Sequence, residues 1–324
     1  MDSSGEITTL IATIINSLGA SPFFSLIVFI GVVFVAFTGL LYILRAILQT
    51  HHQPSKAFHR AILLIKVPKE KKKEQQQSVE DNINQIREQI AVSESLFSSV
   101  AGLKRESGLL AWLRGRNDHI SFELVVKDSK ISFYVAVPDK YRSFIEEQIH
   151  AQYPHAEISE EVDYNIFKPK SHIVGAYIWS KFKPAFPFKT YKKMDSDPML
   201  SVLNPLSKIL ENEGALVQYI VRPASPKWRR QGVRMVRDIR EGQKFEYVAQ
   251  RGFLTRSFYR WKKTVFPKDK DAAKQQHTEA YRLTQMEEEM VKNMEEKISR
   301  GGLETTIRLI CSADSKEKAK MNMQ

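Results

Sequence analysis

Apolar positions run without a charge from Phe23 to Leu44 (FFSLIVFIGVVFVAFTGLLYIL), a stretch of 22 residues. Beyond it the chain changes to short periodic segments. As a helix this stretch is about 33 Å long, against a bilayer core of about 30 Å. A helix is also one of the few structures that satisfies every backbone polar group within lipid. A buried core helix of this length would carry a polar stripe. A cleaved signal peptide would open with basic residues and a shorter apolar run, whereas this chain opens with Asp2 and Glu6 and no Lys or Arg. The pattern therefore predicts an uncleaved transmembrane helix at 23–44, after a short external segment at 1–22. A basic juxtamembrane linker at 45–60 follows, with Pro54 in a connector.

The next pattern is strand-like and helical by turns. Ala61–Val67 (AILLIKV) reads as a strand stopped by Pro68. Gln76–Leu103 carries Val79, Ile83, Ile86, Ile90, Phe97, Val100 and Leu103 at helical steps. Glu106–Asp118, with three turn formers, reads as a loop. Ile120–Val126 and Ile131–Val137 flank Lys127-Asp128-Ser129-Lys130, a hairpin signal. Asp139 caps a helix to about Gln152 with Phe144, Ile145 and Ile149 inward, and Ala156–Val162 is a further strand. Strand, helix, strand, strand, helix, strand is the ferredoxin-like split βαβ order, assigned to 61–167.

The order then begins again in 168–324. His172–Ser180 is a strand. Pro198–Asn212 is a helix with Asp197 as N-cap and Gly214 as stop, and Ala215–Val221 is a strand. Instead of a hairpin partner, a charged helical excursion at 226–300 intervenes. Two helices are expected in it, Pro226–Arg240 and Thr278–Ser299, the second with a stripe of Leu283, Met286, Met290, Met294 and Ile298. Thr305–Cys311 supplies the delayed strand, and Ser315 caps a last helix. The expected fold is thus α+β: a transmembrane helix, then two tandem ferredoxin-like units. The second is interrupted, lacks a fourth strand and reads as incomplete; the alternative is that Lys316–Gln324 is only a frayed C-terminal tail.

Charge adds direction. Arg45, Lys56, Arg60, Lys66, Lys69, Lys71, Lys72 and Lys73 follow the span and only Glu70 opposes them. Basic flanks stay in the cytoplasm, so the N-terminus is expected outside an inner membrane and the rest within. The net charge is +12, and Lys227–Lys270 alone holds fourteen Lys/Arg against four Asp/Glu. Aromatic residues are interleaved with these cations. The candidate contact residues are Lys227, Arg229, Arg230, Arg234, Arg256, Arg260, Trp261, Lys262 and Lys263. Such a segment suits an acidic protein or a sister subunit, an anionic lipid surface, or a nucleic acid whose phosphates meet cations while bases stack on rings.

Catalytic patterns are not evident. His150 with His155, and His51 with His52, fall short of three or four ligands at metal spacing. Glu146-Glu147 and Glu160-Glu161 are adjacent pairs whose members diverge, and solvated faces account for them. One cysteine, Cys311, excludes an intrachain disulfide and reads as core. No G-x-S-x-G is present. The expectation is a non-enzyme without cofactor or metal.

PFKTY, the Asp-Pro that follows, and VQYIVRP with Trp228 lie in or just after Phe186–Pro223. With Ser132–Tyr164 (SFYVAVPDKYRSFIEEQIHAQYPHAEISEEVDY), they resemble a family of bacterial membrane proteins known mainly from candidate-phylum genomes. Members look like a membrane-anchored module fused to a P-loop ATPase similar to type IV secretion coupling proteins and HerA-type DNA translocases. The resemblance implies an assembly role beside such an ATPase. It does not carry ATPase activity over. Gly102–Gly108 (GLKRESG) is the nearest spacing to a P-loop, and Leu109-Leu110 stand where Lys and Ser/Thr would grip phosphate and Mg²⁺. The ATPase is expected on a missing or separate chain. The alternative is a membrane-tethered nucleic-acid-binding protein.

Overall fold

In the computed structural model, the described residues are 22–57, 60–68, 79–162, 164–194, 196–197, 199–243, 248 and 283–324. They fall into two compact units. The first gathers the N-terminal helix and Glu106–Asn117; the second gathers Arg60–Arg105 and Asp118–Gln324.

The first unit is built on α1, Pro22–Ala57. Its stretch Ser25–Thr50 is long and apolar enough to cross a membrane, and none of its most apolar window is buried. The helix continues through the segment expected as a connector, so Pro54 does not end it.

The second unit comprises β1 (Arg60–Lys66), α2 (Val79–Gly102), β2 (Ile120–Lys127), β3 (Lys130–Pro138), α4 (Arg142–Gln152), β4 (Glu157–Glu161) and β5 (His172–Ile178). These are followed by α5 (Leu200–Leu206), β6 (Gly214–Pro223), α6 (Lys227–Arg240), α7 (Gln285–Ser299), β7 (Leu303–Ala313) and α8 (Lys316–Met323). The label α3 belongs to Leu109–Arg114 in the first unit. That six-residue helix replaces part of the expected loop, and it is too short to show a helical period in the sequence.

The seven strands among the described residues form one sheet in the order β4-β1-β3-β2-β6-β7-β5, and each of these pairings is antiparallel. The β2–β3 hairpin turns on Asp128 (φ 50°) and Ser129 (φ 58°), the two positive φ values that a type I′ turn needs to match strand twist. The sheet passes without a break across 167/168, because Ile120–Lys127 pairs residue for residue with Val221–Gly214.

Alternation along the strands sends two sets of side chains to one face. Under α2 and α4 lie Leu63, Ile120, Val135 and Val137 with Val100, Ile145 and Ile149. Under α5 and α8 lie Leu124, Val126, Val217 and Cys311. Burial pushes the Cys311 thiol up to about 11, with Glu213 adding to it, so this cysteine is a core residue and not a reactive one. On the opposite face, Val125, Tyr134 and Leu216 pack against Ile166. A polar row crosses there. Glu123 faces Gln218 and Gln218 faces Arg308; the Gln218 amide donates to Glu123 at 2.9 Å, and the Tyr164 hydroxyl also donates to Glu123. A one-residue slip of β2 on β6 would strand this buried carboxylate, so the row helps to fix register.

Two expected helix ends differ. Pro205 removes a backbone donor inside α5, which stops at Leu206, six residues short of the expected Asn212. Gly214 is not a helix stop. It opens β6, where a Cβ would meet the Ile166 carbonyl oxygen at 2.8 Å, so only glycine allows that approach.

Candidate docking surface

The excursion supplies the two helices that the sequence suggested. α7 starts at a capping box: the Thr284 hydroxyl accepts from Glu287 N and the Glu287 carboxylate accepts from Thr284 N. Met235, Val236 and Ile239 of α6 pack on Val291, Met294 and Ile298 of α7, with Ala185 and Phe186 closing the cluster. Arg229, near the start of α6, donates to the Arg300 carbonyl at 2.7 Å, and Arg240, at its end, reaches Glu295 at 2.6 Å. The two helices therefore run in opposite directions. Gly232 lets them close, since a Cβ there would stand 2.6 Å from Ile298 Cγ2. Met286, expected in the apolar stripe, is instead 80% exposed.

The solvent face of α6 is cationic. Lys227, Arg230, Arg234 and Arg237 are spaced by three and four residues, so they stack on one side, and all four are exposed. Among the described residues Lys227, Arg230 and Arg234 have no acidic partner. Arg234 Nε instead donates to the Arg230 carbonyl at 3.2 Å. Arg237 has Glu241 at 3.7 Å, with both side chains about 61% exposed, a pairing worth little in water. The helix has no acidic residue in its first turn, so Lys227, Arg229 and Arg230 sit against the positive end of its dipole. Each like-charge neighbour costs roughly 0.2–0.5 kcal/mol. Burial of the Met235–Ile239 face offsets that cost, at about 1.5–3 kcal/mol per large side chain. The stack therefore persists without helping the fold.

Of the sequence-predicted residues, Lys227, Arg230 and Arg234 come together on this face. Arg229 turns aside to the Arg300 carbonyl. Arg256, Arg260, Trp261, Lys262 and Lys263 lie outside the described residues. Arg237 belongs to the stack and was missed, although its place at i+3 from Arg234 signalled it.

The mount of α6 is firm at its start. Ala224 N donates to the Gly302 carbonyl at 2.9 Å, and Trp228 lies directly over Gly302. Lys297 of α7 donates to the Phe186 carbonyl at 2.7 Å and lies 4.4 Å from the Phe188 ring centroid; burial holds its pKa below the ordinary lysine value. Lys193 pairs with Glu289, which lies below the usual carboxylate range because of Lys193.

An apolar groove of about 970 Å³ opens between α2 and the sheet, walled by Leu96, Phe97, Phe122, Phe133 and Met199. The Ser93 and Tyr153 hydroxyls at its side satisfy each other at 2.9 Å. Among the described residues no group of three or more His, Cys, Asp or Glu is placed to hold a metal ion.

An α+β protein with an N-terminal apolar helix and a cation-faced helix pair is the class these features define. The chain belongs to the family described as Domain of unknown function (DUF8128), whose model matches residues 66–323. No curated protein and no solved structure matches it.

Proposed function

We propose that the chain is a single-pass membrane protein whose α+β body is an assembly module docking an acidic partner on the Lys227–Arg230–Arg234–Arg237 stack. The observation that carries this reading is the stack itself. It is costly to the helix and mostly unpaired, yet it is held in place by a well-packed opposite face. The basic flank after the span supports a cytoplasmic body and an external N-terminus at an inner membrane. The order β4-β1-β3-β2 supports a ferredoxin-like reading of the first half. By the same logic β6-β7-β5 reads as a second unit that has, among the described residues, no strand beside β5, joined to the first through β2 and β6. The resemblance to modules beside type IV secretion and HerA-like ATPases suggests a P-loop ATPase as the partner, and an adjacent gene for one would favour it.

Nucleic acid is the second reading, favoured by Trp261 and its cationic neighbours in the sequence. One experiment separates the two. The full chain in detergent micelles is titrated with a poly-glutamate peptide and with duplex DNA over a range of salt. The parent is compared with K227E/R230E/R234E and with R256E/R260E/K262E/K263E. Peptide binding lost only in the first variant supports docking of an acidic protein. DNA binding with a steep salt slope, lost in the second, supports nucleic acid. Equal peptide binding by the parent and the first variant would sink the proposed surface.

A further inference from the structure

We infer that α3 is a membrane-interface anchor, with Leu109 and Leu110 entering the headgroup–acyl boundary of the leaflet at the C-terminal end of the span. This rests on reading Ser25–Thr50 as a transmembrane helix. The segment Glu106–Asn117 is a closed loop whose ends are tied where Asn117 N donates to the Glu106 carboxylate at 2.7 Å. Within it α3 is bracketed by Gly108 (φ 97°) and Gly115 (φ 80°), left-handed positions that let the chain turn sharply at both ends.

α3 lies against α1 at one stripe. The Trp112 ring meets Tyr42 edge-on, with centroids 5.5 Å apart and planes at 80°. The Arg45 guanidinium lies 4.8 Å from the Trp112 ring centroid, and Gln49 Nε2 donates to the Trp112 carbonyl at 3.4 Å. Tyr42 is about 29 Å along the helix axis from Phe23, which puts it at the far boundary of a bilayer core of about 30 Å. Trp112 shares that level. A Tyr, a Trp and an Arg in contact there have the composition of an interfacial belt.

Leu109 and Leu110 are 64% and 66% exposed on this short helix, while Arg114 is exposed beside them. Adjacent exposed leucines next to a spanning helix, rimmed by arginine, match a lipid leaflet with anionic headgroups. None of the most apolar window of α1 is buried, so the span carries outward-facing apolar side chains of its own.

The test uses the full chain in bilayers of mixed phosphatidylcholine and phosphatidylglycerol. Nitroxide labels are placed singly at L110C, at V35C near the middle of the span, and at M286C as an exposed reference. Cys311 is buried and stays in place. Collision with oxygen and with a water-soluble nickel chelate reports depth. The L110C label is expected about 5–10 Å into the boundary region, with oxygen favoured several-fold over nickel, and V35C is expected deeper still. If L110C behaves as M286C while V35C is deep, the anchor is wrong and the span stands. If L110C is shielded from both reagents, a protein and not lipid covers the leucines, and the inference also fails. If V35C is itself reached by the nickel chelate, the spanning reading fails first.

Discussion

Gly302→Ala tests the mount beneath the cationic stack. The added Cβ would stand 2.3 Å from Trp228 Nε1, 2.4 Å from Cε2 and 2.5 Å from Cζ2. Carbon contacts settle at about 3.5–4.0 Å, so the indole must withdraw by roughly 1 Å or more. A rigid ring in a packed site cannot yield by a terminal rotation, and overpacking of this kind costs about 1–3 kcal/mol. The backbone at Gly302 is not left-handed, so alanine also gains about 0.4–1 kcal/mol by restricting the unfolded chain. The clash wins. At a net loss of about 1 kcal/mol the melting midpoint falls by roughly 2–4 °C for a unit of this size. The assay is thermal unfolding of the full chain by circular dichroism, with Gly301→Ala as control. The Gly301 position meets only Ala101 Cβ at 3.0 Å and should cost less. A Trp228→Leu background removes the ring and should shrink the Gly302→Ala penalty, a coupling that a double-mutant cycle reads directly. A Gly302→Ala protein that melts at or above the parent temperature would refute the docking of Trp228 on Gly302.

Further outcomes follow from other sites. Glu213 is buried; burial pushes its pKa up, but Lys318 at 2.7 Å, Leu210 N and Asn322 pull it below the ordinary carboxylate value. Its depressed pKa contributes stability above the unfolded value, about 4.3, and that contribution is lost as pH falls through the folded value. Lys318→Met should therefore destabilise at neutral pH and converge on the parent in acid; denaturant titrations at several pH values check this, and an equal loss at every pH would contradict it. A cysteine at Ser4 should react with an impermeant thiol reagent in intact cells and one at Ser78 should not, and the reverse labelling would invert the topology. Residues 168–324 alone expose the β6 edge that pairs with β2, so this fragment should scatter light and recover on mixing with residues 56–167. A monomeric, sharply melting fragment would show that the edge is dispensable.

The sequence disclosed what depends on neighbours. The β2–β3 hairpin was legible because alternating apolar residues flank a four-residue polar break, and α6 because its apolar positions repeat beside its arginines. Ser315 was legible as a cap, and its hydroxyl accepts from Lys318 N at 3.2 Å. The pairing of β2 with β6 was not legible, because nothing local in Ile120–Lys127 names a partner far along the chain. α3 was hidden by its length. Met286 was misplaced because a stripe at helical steps does not say where the neighbouring helix ends. The stack on α6 was three-quarters legible: Arg237 follows from the same period as the residues named, and only the structure turns Arg229 away from it.

The junction of β2 and β6 also governs how this chain can be made. From Lys127 to its partner Gly214 the ribosome must add 87 residues, which takes roughly 4–17 s at about 5–20 residues per second. Once β3 has been added, and for the rest of that interval, the outer edge of β2 lacks its partner, and an unpaired apolar edge invites other strands. A span that has entered the membrane by then would tether each nascent chain and hold it apart from its neighbours until β6 arrives.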